Sequence, residues 1–393
     1  MIALKSITQP YTPSENVFDL MHKFIDGINL CINIALEKNL TSIYSLSREA
    51  YPLLKEYRIP SYYYPEIMNK ALALVRSYRK RIRKGKKATK PQVKKMMLST
   101  YYGFKIKNGK ILIPVSGERY GREYEEIELN NYVQGAISTV KVHSFALNTT
   151  SLSLTIGKDI EVLECTTTVG VDRNIKNVTV GNETHHKVYD LSDVVAIKKR
   201  YRKKISHFKR NDRRIKQKLA MKYGKRSSNR VKQIMHRISK DIVEDAKNNR
   251  EAIVLENIKG IRDITERGDY KRKEYRFLFH NAFPYGMLAF QIKYKAAWKG
   301  VPVIELSRSE TRNTSRECSV CGSLTRIEHG RTLHCDHCGL TIDRDLNAAI
   351  NISKRGRTRL KRSQPREGLK GPSGEALNQS KDGEQMMVSR IPE

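Results

Sequence analysis

The 393-residue sequence lacks several features that would place it in common classes of protein. It has no run of about eighteen apolar residues, so it predicts no membrane-spanning helix. It also lacks a basic leader followed by an apolar stretch and a small-residue cleavage site, so we expect no secretory signal. Acidic residues are scarce relative to basic ones, with 41 Asp and Glu against 75 Lys and Arg, which gives a formal net charge of +34.

This excess of positive charge indicates the class of partner. A fold does not need it, because like charges repel one another in the compact state. A polyanion would neutralise the charge, and counterion release would supply much of the affinity. Ribosomal and membrane-surface proteins carry similar charge, but nucleic acid in some form is the partner that this composition favours most.

Cysteine is also sparse, and four of the six cysteines form two Cys-x-x-Cys pairs separated by thirteen residues. Such pairs predict a structural zinc site, because four thiolates satisfy a tetrahedral zinc ion and leave no open position. The predicted ligands are Cys318, Cys321, Cys335 and Cys338. Three nearby histidines are interpreted as bystanders. The pattern is not a disulfide framework and fits a reducing cytoplasm, where we expect the protein to associate with the nucleoid.

Residues 1–165 predict a mixed domain of helices and short strands. Thr12 and Glu15 predict a capping box at the start of an amphipathic helix. Helical patterns continue to about residue 80. Segments with period two follow between 110 and 156, including ISTVKV at 137–142, and predict antiparallel strands.

From residue 166 to residue 352 the pattern predicts an α/β domain. TTTVGVD at 166–172 begins a group of three strands, and a long basic helical region follows. EAIVLEN at 251–257 and VPVIEL at 301–306 are buried strands separated by a helix, and a last helix begins near Asp345. This is the element order of an RNase H-like domain. Residues 353–393 contain few apolar side chains and predict a disordered tail.

Three acids in this domain are candidate ligands of Mg²⁺ or Mn²⁺. Asp172 ends the first strand, Glu256 ends the fourth, and Asp345 opens the last helix. In an RNase H-like sheet the first and fourth strands are neighbours, so the three carboxylates would meet at one edge. Hard oxygen ligands suit these ions, and two ions about 4 Å apart support phosphodiester hydrolysis. Each acid alone is more typical of a cap or a turn, and Asp343 competes with Asp345 as the third ligand.

Three segments resemble the RuvC motifs and zinc finger of the TnpB (OrfB) family, whose relatives are the type V CRISPR effector nucleases. They are GVDRNIKNVTVGN, IVLENIKGI and the stretch from TSRECSVCG to CDHCGLTIDRDLNAAINI. The resemblance implies a RuvC-type nuclease domain with an inserted zinc ribbon at 315–340, preceded by a recognition lobe that combines a β-barrel wedge with a helical insert. It maps the family's three catalytic acids onto Asp172, Glu256 and Asp345. Arg173 departs from the small or apolar residue that often follows the first acid.

The resemblance further implies RNA-guided cleavage of double-stranded DNA, with a guide RNA from the transposon end. Two basic segments fit this expectation. Residues 76–95 hold eleven Lys or Arg and no acid, and residues 198–240 hold nineteen and one acid, so both could line a heteroduplex channel. Tyr62, Tyr63 and Tyr64 are either core residues or platforms for unpaired bases. The oligomeric state is open, and a monomer is compatible with the sequence.

Two rival functions stay open at this point. A catalytically silent regulator or transposition accessory protein would keep the zinc ribbon and the grip on DNA and RNA. Three carboxylates beside a phosphate backbone argue against a pure binding protein, because without metal they would repel the phosphates. A transposase that joins strands itself would need a tyrosine or serine nucleophile motif, and the sequence shows none.

Overall fold

The computed structural model of the protein describes residues 2–116, 123–208, 213–258, 260–261 and 273–363. The chain divides into two compact units, Met1–Asp159 and Ile160–Glu393. The boundary precedes the predicted limit at residue 165. The reason is that the linking segment is tied to the second unit, where the Leu163 N–H donates to the Gly300 carbonyl at 2.8 Å.

The described residues of the first unit form four α-helices, a short 3-10 turn (Ser61–Tyr63) and seven strands. They are β1 (Ile2–Pro10), α1 (Glu15–Glu37), α2 (Ile43–Glu56), α3 (Tyr64–Arg83), β2 (Met97–Thr100), β3 (Lys105–Lys107), β4 (Lys110–Ser116), β5 (Glu123–Glu128), α4 (Asn131–Ile137), β6 (Lys141–Asn148) and β7 (Ser151–Asp159). The predicted capping box is wrong, because the side chain of Ser14 accepts from the Val17 N–H and caps α1. The strand predicted at 137–142 is also largely wrong, since Asn130 caps α4 in the same way and delays the strand.

The strands of the first unit form two antiparallel sheets, in the orders β1-β7-β6-β2 and β3-β4-β5. Within the described part of the chain they do not close into one hydrogen-bonded barrel. The Gln9 side chain provides a link between the sheets instead, since it donates to the Glu128 carbonyl and accepts from the Asn130 N–H. In the chain, the helices α1 to α3 lie between β1 and β2, which are the two edge strands of the larger sheet.

The second unit follows the predicted order of strands and helices, with several short additions. Its elements are β8 (Thr167–Arg173), β9 (Asn177–Gly181), β10 (His186–Asp190), α5 (Ser192–Ser206), α6 (Arg213–Asn248), β11 (Glu251–Leu255), α7 (Lys273–Phe277), α8 (Tyr285–Lys299), β12 (Val303–Glu305), α9 (Arg308–Thr311), β13 (Arg326–His329), β14 (Thr332–His334), β15 (Thr341–Asp343) and α10 (Arg344–Ser363). A π-helical turn, Leu278–Ala282, lies between α7 and α8.

The central sheet of this unit has the order β10-β9-β8-β11-β12. Strands β8, β11 and β12 are parallel to one another. Strand β9 pairs antiparallel with β8, and β10 pairs antiparallel with β9. Side chains alternate between the two faces of a strand. Accordingly, Ile253 packs in the core formed with α6 and α8, while Val254 packs on the other side with Ile352 of α10. The sheet is therefore covered by helices on both faces.

The last helix is longer than the sequence predicts. It continues to Ser363, so residues 353–363 are not part of a disordered tail, and residues 364–393 lie outside the described residues. The physical reason is burial on the sheet. The Ser353 hydroxyl is buried and donates to the Thr168 carbonyl at 2.8 Å. No helix in the described ranges is both long enough and apolar enough to span a bilayer.

Candidate catalytic and metal centres

Two acidic residues lie side by side where neighbouring strands end. Asp172 is the penultimate residue of β8, and Glu256 directly follows β11. Leu255 pairs with Val171 in these parallel strands, so the register places Glu256 beside Asp172. Asp172 is 8% exposed, and the side chain of Glu256 is also 8% exposed. The prediction that the first and fourth strands of the domain are neighbours is confirmed.

The two buried carboxylates disfavour each other's charged form. Burial is the main cause that raises the pKa of Asp172, and the negative charge of Glu256 raises it further, to about 8. Burial also raises the pKa of Glu256, while the positive charge of Arg173 opposes the shift. The Asn174 amide donates to Asp172 Oδ2 at 2.6 Å and partly offsets the cost for Asp172. A cation between these groups would relieve the remaining repulsion.

Arg173 is the counter-charge that the protein itself supplies to Glu256. Its backbone N–H donates to Glu256 Oε1 at 3.0 Å, and its Nη2 donates to the Glu256 carbonyl at 2.6 Å. Its Nη1 donates to the carbonyl of Tyr285 at 3.2 Å, at the start of α8. Burial lowers the pKa of this guanidinium, and its Nε has no hydrogen-bond partner among the residues that the structure describes. Arg173 thus ties the ends of β8 and β11 to α8.

Asp345 reaches the same edge of the sheet from the first turn of α10. It is 3% exposed, and the Asn177 amide at the start of β9 donates to its Oδ2 at 2.9 Å. The helix approaches β8 closely because Gly170 has no side chain. A Cβ there would lie 2.1 Å from the Ala349 carbonyl oxygen. Asp343 is exposed, and its Oδ1 accepts the N–H groups of Asp345 and Leu346, so its carboxylate caps the helix.

Arg331 connects the third acid to the first. Its guanidinium forms an ion pair with Asp345, and its positive charge also lowers the pKa of Asp172. The structure therefore gathers all three predicted acids at one edge, two of them directly adjacent. In the described ranges the three carboxylates do not form a group close enough to share one ion, since the four-cysteine group alone meets that condition. The side chains of Arg331 and Arg173 are the cations that contact Asp345 and Glu256.

The four predicted cysteines form a second candidate centre. Their sulfur atoms lie within 4.8 Å of one another, and two of the pairs, Cys318–Cys338 and Cys321–Cys335, are 3.5 Å apart. A tetrahedron of thiolates around zinc has sulfur–sulfur edges of about 3.8 Å, given zinc–sulfur bonds of about 2.3 Å. The group is therefore close enough to hold one metal ion.

The local chain explains this arrangement. Each pair lies on a tight turn, with Gly322 N–H bonded to the Cys318 carbonyl and Gly339 N–H bonded to the Cys335 carbonyl. Both glycines have positive φ, 78° and 73°, which other residues rarely adopt. Hydrogen bonds from Ser323 lower the pKa of Cys321 to about 5. The Leu340 N–H lowers the pKa of Cys338, but burial and the neighbouring thiols outweigh it and raise this pKa to about 12.

Side-chain amides of α10 join the cysteine-bearing segment to the helix that carries Asp345. The Ser319 N–H donates to Asn347 Oδ1 at 2.9 Å, and the Asn347 amide donates to the Glu317 carbonyl at 2.8 Å. The Asn351 amide donates to the Glu317 carbonyl at 2.7 Å and to the Thr314 carbonyl at 2.9 Å. All three groups are buried or nearly so, and this network fixes the first turns of α10 against the first cysteine pair.

Comparison with known proteins identifies the family of this chain. The Cas12f1-like TNB domain model matches residues 285–352, and the model of the uncharacterized protein MJ0013 family matches residues 20–114. The TnpB-like protein MJ0751 of Methanocaldococcus jannaschii is 31% identical over 195 residues, which span 47% of this chain and 67% of that protein. The chain belongs to the TnpB family.

A second relative and a solved structure extend the comparison over more of this TnpB protein. The TnpB-like protein MJ1635 of the same organism is 22% identical over 314 residues, covering 77% of this chain and 71% of that protein. Cas12f1, solved in a complex with sgRNA and target DNA, has a TM-score of 0.58 and 15% identity and covers 86% of this chain and 83% of its own. At this identity the likeness shows a shared fold. The TNB match contains the cysteine group, Arg331 and Asp345.

The structure favours packing for two of the three predicted tyrosines, Tyr63 and Tyr64, whereas Tyr62 is only half-buried. Tyr63 is fully buried and donates to the Pro114 carbonyl at 2.9 Å, and buried Tyr64 donates to the Leu54 carbonyl at 3.1 Å. Neither ring is available to stack on a base.

The basic segment 76–95 lies at the end of α3 and in the chain that follows. The segment 198–240 lies in α5, the turn at 207–208 and α6, and its residues 209–212 are outside the described residues.

Sequence reasoning missed Arg331, Asn174 and Asn177 as parts of the acidic site. Nothing in the sequence near Arg331 distinguishes it from the many other basic residues. Its contact with Asp345 depends on how the hairpin β13–β14, between the two cysteine pairs, folds. Asn174 and Asn177 carry a weak signal. They follow Asp172 closely on a turn between two strands, where a side-chain amide can reach back to a carboxylate.

Proposed function

We propose that this TnpB protein is an RNA-guided endonuclease that hydrolyses DNA phosphodiester bonds at a divalent-metal site formed by Asp172, Glu256 and Asp345. One observation carries the proposal: two buried acids lie adjacent on parallel strands, with a third at the same sheet edge. A fold gains no stability from such like charges. Functional sites are where buried like charges are retained at a cost to the fold.

The donor set fits Mg²⁺ or Mn²⁺. All three side chains offer carboxylate oxygens, which these hard ions prefer, and the charge of Asp172 is opposed by Glu256. Two metal ions bound there would activate a water molecule and stabilise the leaving oxygen when the phosphodiester bond is displaced. Asn174 and Asn177 would orient two of the carboxylates by the hydrogen bonds that they already make. Arg331 would have to leave Asp345 for this residue to act as a ligand.

The strand order supports an RNase H-like (RuvC) nuclease domain, because the first strand is flanked by the second and the fourth. Guide RNA and double-stranded DNA are the partners that we assign, since the similar Cas12f1 fold was solved with sgRNA and target DNA. The net charge of +34 suits two nucleic-acid ligands. The cysteine group is proposed as a structural zinc ribbon spanning 315–340, with all four ligand positions filled by thiolates.

A catalytically silent binding protein is the second candidate, and one observation favours it. The acids are already matched by the protein's own arginines, with Arg173 on Glu256 and Arg331 on Asp345. In such a protein the acidic edge would be a structural ion-pair cluster. Metal dependence separates the two candidates, because the cluster of a silent protein would neither need nor bind Mg²⁺.

The test begins with purification after co-expression with the flanking genomic DNA, followed by sequencing of the bound RNA. A discrete RNA ending at the element boundary and Mg²⁺-dependent cutting of matching DNA are expected. Glu256→Gln should reduce cutting more than about 100-fold, beyond what the loss of a supporting residue causes. Its matched control is Glu251→Gln, a buried glutamate at the opposite end of β11 that contacts His185 and Asn182. Equal activity of both variants would overturn the proposed site.

A further inference from the structure

A cleft of about 860 Å³ opens in the second unit between α5, α6 and the helical turns at 273–282. Its volume is in the range of pockets that hold a drug-sized ligand. The described residues that matter for its chemistry are three cations, two aromatics and a serine. They are Lys198, Arg202, Arg276, Tyr201, Phe277 and Ser227. None of the acids predicted for the nuclease site lines this cleft.

The charge of the cleft favours an anion. Lys198, Arg202 and Arg276 line it, and among the described residues no acidic side chain does. Glu274 interacts electrostatically with Arg202, but it does not line the cleft and forms its ion pair with Lys199. Lys198 is partly buried, and the hydration that its ammonium group loses on burial lowers its pKa. A bound phosphate would restore the lost interaction.

The remaining surface of the cleft favours a flat ring. Half-buried Phe277 is the main aromatic surface, because Tyr201 lines the cleft but is only 8% exposed. The Arg202 guanidinium lies 4.3 Å from the centre of the Phe277 ring. Ser227 is 4% exposed, and within the described part of the chain its hydroxyl has no hydrogen-bond partner. A buried hydroxyl without a partner costs free energy unless a ligand or water supplies one.

We propose that this cleft binds one unpaired nucleotide of a bound nucleic acid, with the base against the aromatic surface and the phosphate on the three cations. Stacking on aromatic rings combined with phosphate contacts is the way proteins hold single-stranded nucleic acid without reading sequence. The Ser227 hydroxyl would bond to an edge of the base or to the sugar. The proposal deepens the proposed function and rests on it only in requiring that the protein binds nucleic acid.

Gly224 allows a sharp test. It lines the cleft in the middle of α6, and a Cβ added there meets no atom within 4 Å. Gly224→Phe should fill the cleft, while Gly224→Ala leaves it open. Alanine and phenylalanine both have a higher helix propensity than glycine, so neither replacement should impair folding. Thermal melting of the two variants checks this. The probes are single strands of RNA and of DNA about twelve nucleotides long, each with one 2-aminopurine in an otherwise uniform sequence.

With the wild-type full chain we expect quenching of 2-aminopurine on binding and photocrosslinks that map to Tyr201 or Phe277. Gly224→Phe should weaken binding at least about 5-fold and remove both signals, as expected for the loss of one stacked base. Gly224→Ala should retain them. Arg230→Ala removes one charge from α6 outside the cleft lining and should lower affinity without moving the crosslinks. Crosslinks with one type of strand alone would identify it as the source of the nucleotide.

Two results would overturn the inference. One is unchanged affinity and quenching in Gly224→Phe, and the other is crosslinking of the wild type confined to residues outside the cleft. Failure of the proposed function has a different signature. In that case the wild-type protein would bind no strand at all, or would bind both strands with normal cleft crosslinks and fail to cut matching DNA in Mg²⁺.

Discussion

Arg331, on the turn between β13 and β14, forms an ion pair with Asp345, on the first turn of α10. The two ends of the pair differ in their surroundings. The arginine side chain is 52% exposed and the aspartate side chain 4% exposed. The hairpin β13–β14, which lies between the two cysteine pairs, therefore contributes a cation directly to the acidic edge. Because the charge of Arg331 also lowers the pKa of Asp172, this guanidinium would compete with a metal ion at the proposed site.

Arg331→Gln should tighten Mn²⁺ binding to the protein without nucleic acid. The variant removes the guanidinium that competes with the metal ion for Asp345. We expect Mn²⁺ affinity to rise about 10-fold, which is about 1.4 kcal/mol of binding free energy. Titration calorimetry with Mn²⁺ measures it. The matched control is Arg326→Gln on the same hairpin, because Arg326 pairs with Asp336 rather than with the acidic edge. Equal Mn²⁺ affinity in both variants would contradict the competition.

The acidic edge shows what the sequence can and cannot predict. Asp172 and Glu256 each follow a short run of apolar, mainly β-branched residues, a pattern strong enough to predict two adjacent strand ends. Their neighbours in space were not predictable in the same way. Arg331 reaches Asp345 through the fold of the hairpin. Arg173 stands out in the sequence only as a departure from the family pattern, and the structure buries its side chain against Glu256.

Local signals failed where two residues compete for the same role. Thr12 and Ser14 are both good caps, and the chain uses Ser14. The β-branched residues at 138–142 favour a strand, but Asn130 caps a helix that ends at Ile137 and consumes part of the segment. The chain past 352 has few apolar residues by composition. Yet the helix continues to Ser363, because Ser353 is buried beside Thr168.

The cysteine group should contain one zinc ion per chain, and loss of a ligand should destabilise the second unit. Cys321→Ser should release the zinc and lower the melting temperature by about 5–10 °C. That range corresponds to a loss of about 2–3 kcal/mol for a unit of this size. A chromogenic zinc assay and thermal melting measure the two effects. Cys165→Ser is the control, because Cys165 is a buried thiol outside the group and its loss should leave zinc content at one per chain.

Arg173→Met should strongly destabilise the protein. Glu256 would remain buried without its counter-charge, and the link to the Tyr285 carbonyl would be lost. Breaking a buried ion pair from one side costs about 3–5 kcal/mol. Urea unfolding of the variant checks the value. Adding Glu256→Gln to Arg173→Met should restore part of the stability, because the unpaired charge is then removed. No recovery in the double variant would mean that Arg173 stabilises the fold by packing and by its hydrogen bonds to carbonyls, and not by its charge.

Asp172→Asn should stabilise the metal-free protein, and more so at high pH. In the folded state the pKa of Asp172 is raised to about 8 by burial and by Glu256, so the folded protein holds a proton that the unfolded chain has released. The stability contributed by this group therefore falls as pH rises from about 4 to about 8, and the loss is complete above about 8. Asparagine cannot ionise, so the variant escapes this loss.

The gain should be clearly larger at pH 8.5 than at pH 5, measured by urea unfolding in buffers free of Mg²⁺ that leave zinc in place. Asp26→Asn serves as the control, because Asp26 is an exposed acid on α1 far from any of these carboxylates in sequence. Saturating Mg²⁺ should reverse the order, since the wild type alone keeps all three carboxylates and is stabilised by the ion. If Mg²⁺ stabilised both proteins equally, Asp172 would not be a ligand. If the gain were the same at both pH values, the carboxylate would not carry the raised pKa.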